Sequence, residues 1–169
     1  MQFLAECLSM TQKPPVMTRR AMLGGAAVAL LANTVRPGWA QTSPILVYKD
    51  PNCGCCQSWV RHLEKAGFTV RARETTDLAT VRAGLGVPID LASCHSAEID
   101  GYVLEGHVPA VAVQRLLAQR PDAIGLAVPG MPAGSPGMGG MPAEKYAVIL
   151  FGATDRKPFM TFIGPDQTG

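Results

Sequence analysis

The sequence predicts an α/β domain over residues 41–169, preceded by a cleaved leader over residues 1–40. Three observations point to this class. Short apolar runs alternate with stretches in which apolar residues recur at helical spacing. A Cys-x-x-Cys pair stands at the junction of a predicted strand and a predicted helix. An Asp-Gly dipeptide separates two strand-like runs, as in a β-hairpin.

The composition fits a globular domain and excludes several other classes. The chain has 169 residues, of which 47% are hydrophobic and 17% charged, which is too apolar for general disorder. Residues 41–169 hold 11 Lys and Arg against 12 Asp and Glu, so a basic nucleic-acid-binding surface is not expected. No apolar run reaches the roughly 18 residues of a membrane span, so no stable span is expected after cleavage.

The leader has the three parts of a secretory signal peptide. Two arginines, Arg19 and Arg20, precede the apolar stretch 21–32, and the small-residue end 38–40 (GWA) follows. This pattern predicts cleavage after Ala40 and export of the remaining domain to the periplasm.

Two details of the leader refine this prediction. The run 18–23 (TRRAML) is consistent with a twin-arginine signal, although a pair of arginines also suits an ordinary signal peptide. Met17 would give a more regular leader than Met1, so Met17 is a candidate for the true start.

The first four predicted elements follow the order strand, helix, strand, helix. Residues 45–49 form a short apolar run typical of a buried strand. A helix is predicted over residues 54–66, where apolar residues recur at helical spacing before Gly67. Residues 68–72 alternate as a second strand, and a shorter helix is predicted over residues 78–85.

A hairpin and a third helix follow. The dipeptide Asp100-Gly101 separates strand-like runs over residues 93–99 and 102–106 and indicates a two-residue hairpin loop. Residues 108–120 are predicted to be helical. The resulting order, β-α-β-α-β-β-α, is the layout of thioredoxins and glutaredoxins.

The C-terminal third departs from that layout. In residues 121–142, 11 of 22 positions are Gly or Pro, which excludes a continuous helix and predicts a long Gly/Pro/Met-rich loop. A loop of this length inside a domain is usually functional or disordered. Residues 146–151 and 158–163 predict an added C-terminal β-hairpin. The predicted fold is therefore a single thioredoxin-like domain with this loop and this hairpin.

Three cysteines stand within four residues at the start of the first predicted helix. Cys53 and Cys56 have the Cys-x-x-Cys spacing of redox and metal sites, and a helix N-terminus favours the thiolate form. The third thiol, Cys55, would complicate two-electron exchange because several disulfides compete, whereas clustered thiolates can bridge soft metal ions. The cluster favours a metal site, with a permanent Cys53–Cys56 disulfide or buried inert thiols as the alternative.

The register of the predicted hairpin brings a fourth cysteine to a histidine. A two-residue loop pairs Ile99 with Tyr102, and the same register sets Cys94 opposite His107 on one face of the sheet. Opposed Cβ atoms lie about 4.5–5.5 Å apart, close enough for both side chains to bind one metal ion. His95 falls on the other face of the sheet and is a secondary candidate.

The other soft or basic side chains are three methionines and one histidine. Met131, Met138 and Met141 lie in the Gly/Pro-rich loop, where there is little core for them to fill. Thioethers are soft ligands that suit Cu(I). His62 lies in the middle of a predicted helix beside charged residues and is expected to face solvent.

Several separate motifs match one known family in the same order. They are residues 48–56 (YKDPNCGCC), 93–97 (SCHSA), 100–109 (DGYVLEGHVP) and 125–132 (GLAVPGMP). With these motifs, residues 45–163 resemble the DUF411 family of exported metal-binding proteins, which includes the CopG copper-resistance proteins. The resemblance implies a thioredoxin-like fold, a periplasmic role in copper handling, and copper held by the clustered cysteines with nearby His and Met.

The residues and the resemblance together predict a periplasmic copper-binding protein that sequesters copper and interconverts Cu(I) and Cu(II) in copper resistance. The predicted ligands are Cys53, Cys56, Cys94, His107 and Met131, with Cys55, His95, Met138 and Met141 as secondary candidates. Copper is preferred because the donor set is soft and because of the resemblance, although zinc also suits Cys and His ligands. Bridging thiolates would allow more than one copper ion. Expected partners are copper ions and other periplasmic copper-handling or efflux proteins, without nucleic acid.

Two other functions stay open at this point. In a thiol–disulfide oxidoreductase, Cys53 would attack and Cys56 would resolve the mixed disulfide. A third thiol at Cys94 would trap such intermediates, which favours a metal site. In a structural module the thiols would act only as staples, which leaves Cys55 and the Met-rich loop unexplained. The sequence favours a binding protein over an enzyme.

Overall fold

Three α-helices and one mixed eight-stranded sheet form the part of the chain that the computed structural model describes, residues 43–169. The predicted α/β class is confirmed. The helices are α1 (Gly54–Lys65), α2 (Leu78–Gly84) and α3 (Ala110–Gln119), with a 3-10 turn over Ile89–Leu91. The strands are β1 (Ile45–Lys49), β2 (Val70–Glu74), β3 (His95–Ile99), β4 (Tyr102–Glu105), β5 (Gly125–Ala127), β6 (Lys145–Phe151), β7 (Arg156–Ile163) and β8 (Asp166–Gln167). Their order across the sheet is β2-β1-β3-β4-β5-β6-β7-β8.

The predicted leader, with its cleavage site after Ala40 and the alternative start at Met17, lies outside the described residues. Within residues 43–169, none of the helices combines the length and the apolar character that crossing a membrane requires.

The unit β1–α1–β2 fixes the cysteine cluster at one end of the sheet. The two strands are parallel, and α1 connects them. Cys53 caps α1, because its Sγ accepts a hydrogen bond from the Cys56 N–H at 3.3 Å. Trp59 and Leu63 of α1 are fully buried, and the Trp59 indole donates to the Val108 carbonyl at 2.9 Å. This buried face holds the first turn of α1 against the sheet.

The hairpin β3–β4 has the predicted turn and the predicted register. Ile99 pairs with Tyr102, and Ser96 pairs with Glu105. Asp100 and Gly101 have φ of 47° and 84°, the positive values that a two-residue hairpin loop requires. Strand β3 begins two residues later than predicted, at His95, so Cys94 precedes the strand.

Strand β5 was not expected within the segment predicted to be loop. It has only three residues and pairs parallel to β4, so it carries no local pattern of its own. A Cβ at Gly125 would overlap the Val103 carbonyl, which explains glycine at this close approach. Residues 128–144 form no helix or strand. They are fixed instead by hydrogen bonds such as that from the Gly134 N–H to the Met138 carbonyl at 2.8 Å.

The C-terminal strands β6 and β7 form an antiparallel hairpin with a register shift between Val148 and Ile149. Strand β5 joins this hairpin to the rest of the sheet, and β8 extends the sheet by two residues beyond β7. Met160 of β7 is buried in the main hydrophobic core. The hairpin is therefore continuous with the sheet that carries the cysteine and histidine residues.

The prediction that His62 faces solvent is wrong. Its Nε2 accepts a hydrogen bond from the Ala110 N–H at 3.0 Å, so it caps the first turn of α3. Burial, with a smaller contribution from the Lys65 charge, lowers the pKa of His62 below its ordinary value of 6.5. Helical periodicity did not reveal this contact, because α3 is 48 residues away in the sequence.

Acid is expected to destabilise the fold through His62. Only the neutral ring can accept from Ala110, and the folded-state pKa is depressed. The stabilisation is therefore complete above the unfolded-state pKa of about 6.5 and is lost as the pH falls through the folded-state value. The measurement is the free energy of unfolding by urea across this pH range.

The matched variant is His62→Gln, whose side-chain oxygen can accept the same hydrogen bond without titrating. The loss of stability on acidification should be smaller in His62→Gln than in the wild type. Equal losses in the two proteins would show that His62 does not titrate as described.

Candidate metal centre

The four cysteines of residues 43–169 come together at one place. Cys53, Cys55 and Cys56 lie at the start of α1, and Cys94 lies directly before β3. Their four sulfur atoms all lie within 4.8 Å of one another. The cluster joins two segments that are about 40 residues apart in the sequence, as the β1–β3 pairing requires.

Two of the four thiols form a disulfide, between Cys53 and Cys56. Cys55 and Cys94 are free and half-buried. The Cys55 Sγ lies 3.4 Å from the Cys53 Sγ and 3.9 Å from the Cys94 Sγ. In this state only Cys55 and Cys94 can supply thiolates. A four-thiolate site requires reduction of the disulfide by two electrons, which yields the other two thiolates.

Two imidazoles also reach Cys94. Its Sγ lies 3.2 Å from the His107 Nε2 and 3.2 Å from the His95 Nδ1. The predicted approach of His107 to Cys94 is present. The expectation that His95 would lie apart, on the other face, is wrong: β3 begins at His95, so the strand alternation does not extend to Cys94.

A serine in the loop after β5 determines which ring nitrogen of His107 carries the hydrogen. The Ser135 hydroxyl donates its single hydrogen to the Pro132 carbonyl at 2.7 Å. The same hydroxyl lies 3.0 Å from the His107 Nδ1. It must accept a hydrogen bond there, so Nδ1 carries the hydrogen. The Nε2 lone pair of the neutral ring then faces the Cys94 sulfur, which is the orientation that a metal ligand needs. Nothing in the sequence around Ser135 indicated this role.

His95 is held more deeply, between the helix and the sheet. Its ring is fully buried, with its centre 4.2 Å from that of Trp59 and 5.4 Å from that of His107. Among the described residues, its Nε2 is the one buried side-chain nitrogen or oxygen without a hydrogen-bond partner. Its Nδ1 lies 3.2 Å from the Cys94 sulfur.

Burial keeps the group of Cys94, His95 and His107 uncharged in the absence of a cation. It lowers the pKa of His95 to about 3 and that of His107 to about 4. Burial, together with the nearby Cys55, raises the pKa of the Cys94 thiol to about 12. Two buried neutral imidazoles and one half-buried thiol thus share the site. A bound cation would favour the thiolate, because metal ligation deprotonates a thiol.

The loop after β5 lies against this site, but two of its methionines face outward. Gly137 packs on the first turn of α1, since a Cβ there would lie 2.7 Å from the Cys55 carbonyl. The side chains of Met131 and Met141 are 52% and 55% exposed, and Met138 is half-buried. The loop therefore brings Ser135 to the site, while Met131 and Met141 lie at the surface.

The tautomer of His107 gives a testable prediction for Ser135→Ala. Without the hydroxyl, the Nδ1–H loses its acceptor, so the Nε2–H form should become populated. The check is the ¹⁵N chemical shifts of the two His107 ring nitrogens in the metal-free protein, which should move toward each other. Ser58→Ala, which removes an exposed hydroxyl bonded to the Gly54 carbonyl, is the control. Unchanged His107 shifts in Ser135→Ala would contradict the assignment.

Comparison with known proteins places this geometry in a family. The family model described as "Protein of unknown function, DUF411" matches residues 91–138, which include Cys94, His95 and His107. A solved structure described as "Copper resistance protein copG- Form 1" is 41% identical, with a TM-score of 0.68 over 73% of this chain and 99% of that chain. A second, described as "Copper resistance protein copG- Form 2", is 41% identical, with a TM-score of 0.67 over 71% of this chain and 99% of that chain. No curated protein matches the chain. At this identity and coverage, the chain belongs to the DUF411 family of CopG-like copper-resistance proteins.

Proposed function

We propose that the protein binds copper at the cluster around Cys94 and sequesters it in copper resistance. One observation carries the proposal: two donor sets share the Cys94 sulfur. The first set is the four cysteines, and the second is Cys94 with His95 and His107. The copper-resistance role of the two similar structures supports the choice of metal.

The four-cysteine set suits Cu(I). Thiolates are soft ligands, and Cu(I) prefers them. Four sulfurs within 4.8 Å of one another can bridge neighbouring ions, so the reduced cluster supports binding of more than one copper ion. In this proposal Cys55 is a ligand of the same rank as Cys53 and Cys56, because its sulfur lies between those of Cys53 and Cys94.

The set of one cysteine and two histidines suits Cu(II) better than the four thiolates do. Two imidazoles and one thiolate are a donor set that proteins use for copper that changes oxidation state. These three residues stay available when Cys53 and Cys56 are joined, so the disulfide form keeps a copper site. Zinc also accepts Cys and His ligands, and metal competition separates the two ions.

The exposed methionines extend the proposal to copper transfer. Met131 and Met141, on the loop that lies over the site, offer thioethers at the surface. Weak, soft donors near the rim suit a Cu(I) ion that enters or leaves. Met131, Met138 and Met141 are therefore proposed as transient ligands during exchange with other periplasmic copper-handling or efflux proteins.

The disulfide allows the two oxidation states of copper to interconvert. In one balanced step, two Cu(II) ions each take one electron from the reduced Cys53 and Cys56. The products are two Cu(I) ions, one disulfide and two protons. The reverse step oxidises two Cu(I) ions to Cu(II), consumes the disulfide and two protons, and restores the two thiols. The Cys53–Cys56 disulfide beside two free thiols supports such exchange.

An anaerobic titration with Cu(I) against a chelating competitor tests the binding proposal. The protein is prepared in two forms, fully reduced and with the Cys53–Cys56 disulfide intact. We expect tight binding of one or more ions by the reduced form, with its thiols then protected from alkylation, and fewer ions bound by the disulfide form. Weak binding by both forms would overturn the proposal.

Adding Cu(II) to the reduced protein without oxygen tests the redox step. A Cu(I)-specific chelator then counts the Cu(I) formed, and thiol titration counts the cysteines that remain. One Cu(I) should appear for each thiol lost. Loss of thiols without Cu(I), or no loss of thiols, would leave only the binding role.

Two further proposals concern location and fold. Residues 1–40 are proposed to be a signal peptide that directs export to the periplasm, and the N-terminal residue of the exported protein, expected to be Gln41, tests this.

The domain that remains is proposed to be thioredoxin-like. The order β2-β1-β3-β4, with β1 parallel to β2 and antiparallel to β3, supports this assignment.

A thiol–disulfide oxidoreductase is the second candidate function. The observation in its favour is the Cys53–Cys56 disulfide at the N-terminus of α1, a position that favours the thiolate form of the attacking cysteine. Fast reduction of a model disulfide by the reduced protein, combined with weak copper binding, would support this function over the first.

A further inference from the structure

A buried ion pair lies directly behind Cys94, and neither donor set uses it. The Arg82 Nε of α2 lies 2.9 Å from the Glu105 Oε1 of β4, and the Glu105 side chain is fully buried. A buried ion pair gains little net stability, because the cost of removing both charges from water offsets their attraction. Its position therefore calls for a reason other than stability.

The pair holds the residue that precedes Cys94 by both of its backbone polar groups. The Glu105 Oε1 accepts a hydrogen bond from the Ser93 N–H at 2.6 Å. The Arg82 Nη2 donates to the Ser93 carbonyl, and the Glu105 Oε2 accepts from the Ser96 hydroxyl. Three hydrogen bonds from the ion pair thus fix the chain on both sides of Cys94.

The same residue connects the pair to the loop after β5. The Ser93 hydroxyl donates to the Gly130 carbonyl, next to Met131. This loop also carries Ser135, which orients His107. A shift of Ser93 would therefore move Cys94 and release the loop at once.

We propose that Arg82 and Glu105 are positioning residues that hold Cys94 between the thiols of α1 and the imidazoles of His95 and His107. Arginine suits this task because its planar guanidinium donates from Nε to the carboxylate and from Nη2 to a carbonyl at the same time. Lysine offers one point charge and cannot reproduce that geometry. The placement of Cys94 stands without copper; its consequence for copper binding rests on the proposed function.

Alkylation of the metal-free protein tests this directly. With the Cys53–Cys56 disulfide intact, Cys55 and Cys94 are the two free thiols of residues 43–169, and peptide mass spectrometry reports each rate separately. In Arg82→Met, labelling of Cys94 by iodoacetamide should become about tenfold faster, because the pair no longer holds the chain closed. Labelling of Cys55 should change by less than about twofold, because local opening at Ser93 leaves α1 folded.

The variants distinguish easier access to the Cys94 sulfur from a change in nearby charge and from unfolding of the domain. Loss of a nearby cation makes a thiolate less favourable and would slow alkylation, so a faster rate reports access to the sulfur. Arg82→Lys keeps the charge and is expected to fold even if Arg82→Met does not. It should label Cys94 at a rate between those of the wild type and Arg82→Met. Arg156→Met is the matched control, because it removes the exposed ion pair with Asp90, also 2.9 Å long.

The proposal is overturned if Cys94 and Cys55 accelerate together in folded Arg82→Lys, since that reports general loosening. It is also overturned if the Cys94 rate in both Arg82 variants equals that of the wild type. A faster Cys94 rate with unchanged Cu(I) affinity would support the positioning role while contradicting the role of Cys94 in copper binding.

Discussion

Replacing Cys94 by serine is expected to lower the affinity for Cu(I) by at least about 100-fold in both the reduced and the disulfide forms, more than loss of an outer-shell partner would. Cys94 is the one residue that both donor sets share. Serine has nearly the same size but offers a hard oxygen in place of a soft thiolate. The measurement is a competition titration with a Cu(I) chelator, supported by metal analysis of the isolated protein.

Cys55→Ser is the matched control, because it removes the other free thiol. Cys55 belongs to the four-cysteine set but not to the set of Cys94, His95 and His107. Its loss should weaken Cu(I) binding by the reduced form and leave Cu(II) binding by the disulfide form unchanged. His62→Ala, in the last turn of α1 and at the opposite end of the helix from Cys53, should change neither. Equal copper binding by the wild type and by Cys94→Ser would remove Cys94 from the site.

The parts of the fold that follow from neighbouring residues could be predicted from the sequence. The Asp100-Gly101 turn has a two-residue geometry that fixes the register of the whole hairpin, so the approach of Cys94 to His107 followed from arithmetic. The start of α1 at the cysteine cluster could also be predicted, because a strand-like run ends shortly before the cysteines and apolar residues recur at helical spacing after them. In both places the local signal determines the local structure.

Contacts between residues that are distant in the sequence could not be predicted from such local signals. His95 reaches Cys94 because β3 begins at His95, and the strand boundary depends on pairing with β1. Ser135 contacts His107 because the loop after β5 packs against the site. Strand β5 is three residues long and depends on β4. Glu105 would normally be expected at the surface, yet it is buried because Arg82 neutralises it.

Gly106→Ala is expected to produce a large loss of stability. Gly106 has φ of +71°, and a side chain in this region costs about 1–2 kcal/mol. A Cβ there would also lie 2.5 Å from both the Val128 carbonyl and the Ser93 hydroxyl. Forcing apart packed groups adds about 1–3 kcal/mol. The measurement is the free energy of unfolding of the metal-free disulfide form.

Gly101→Ala separates these two contributions within the same hairpin. Gly101 has φ of +84°, but no atom beyond its two chain neighbours lies within 4 Å of the position that its Cβ would occupy. It should therefore show the backbone cost alone, about 1–2 kcal/mol, and leave copper binding intact. Gly106→Ala should lose more, and it should also weaken copper binding, because the displaced Ser93 carries Cys94 with it. Equal losses in the two variants would mean that the chain around Ser93 yields easily, and that Cys94 is not held by the packing described here.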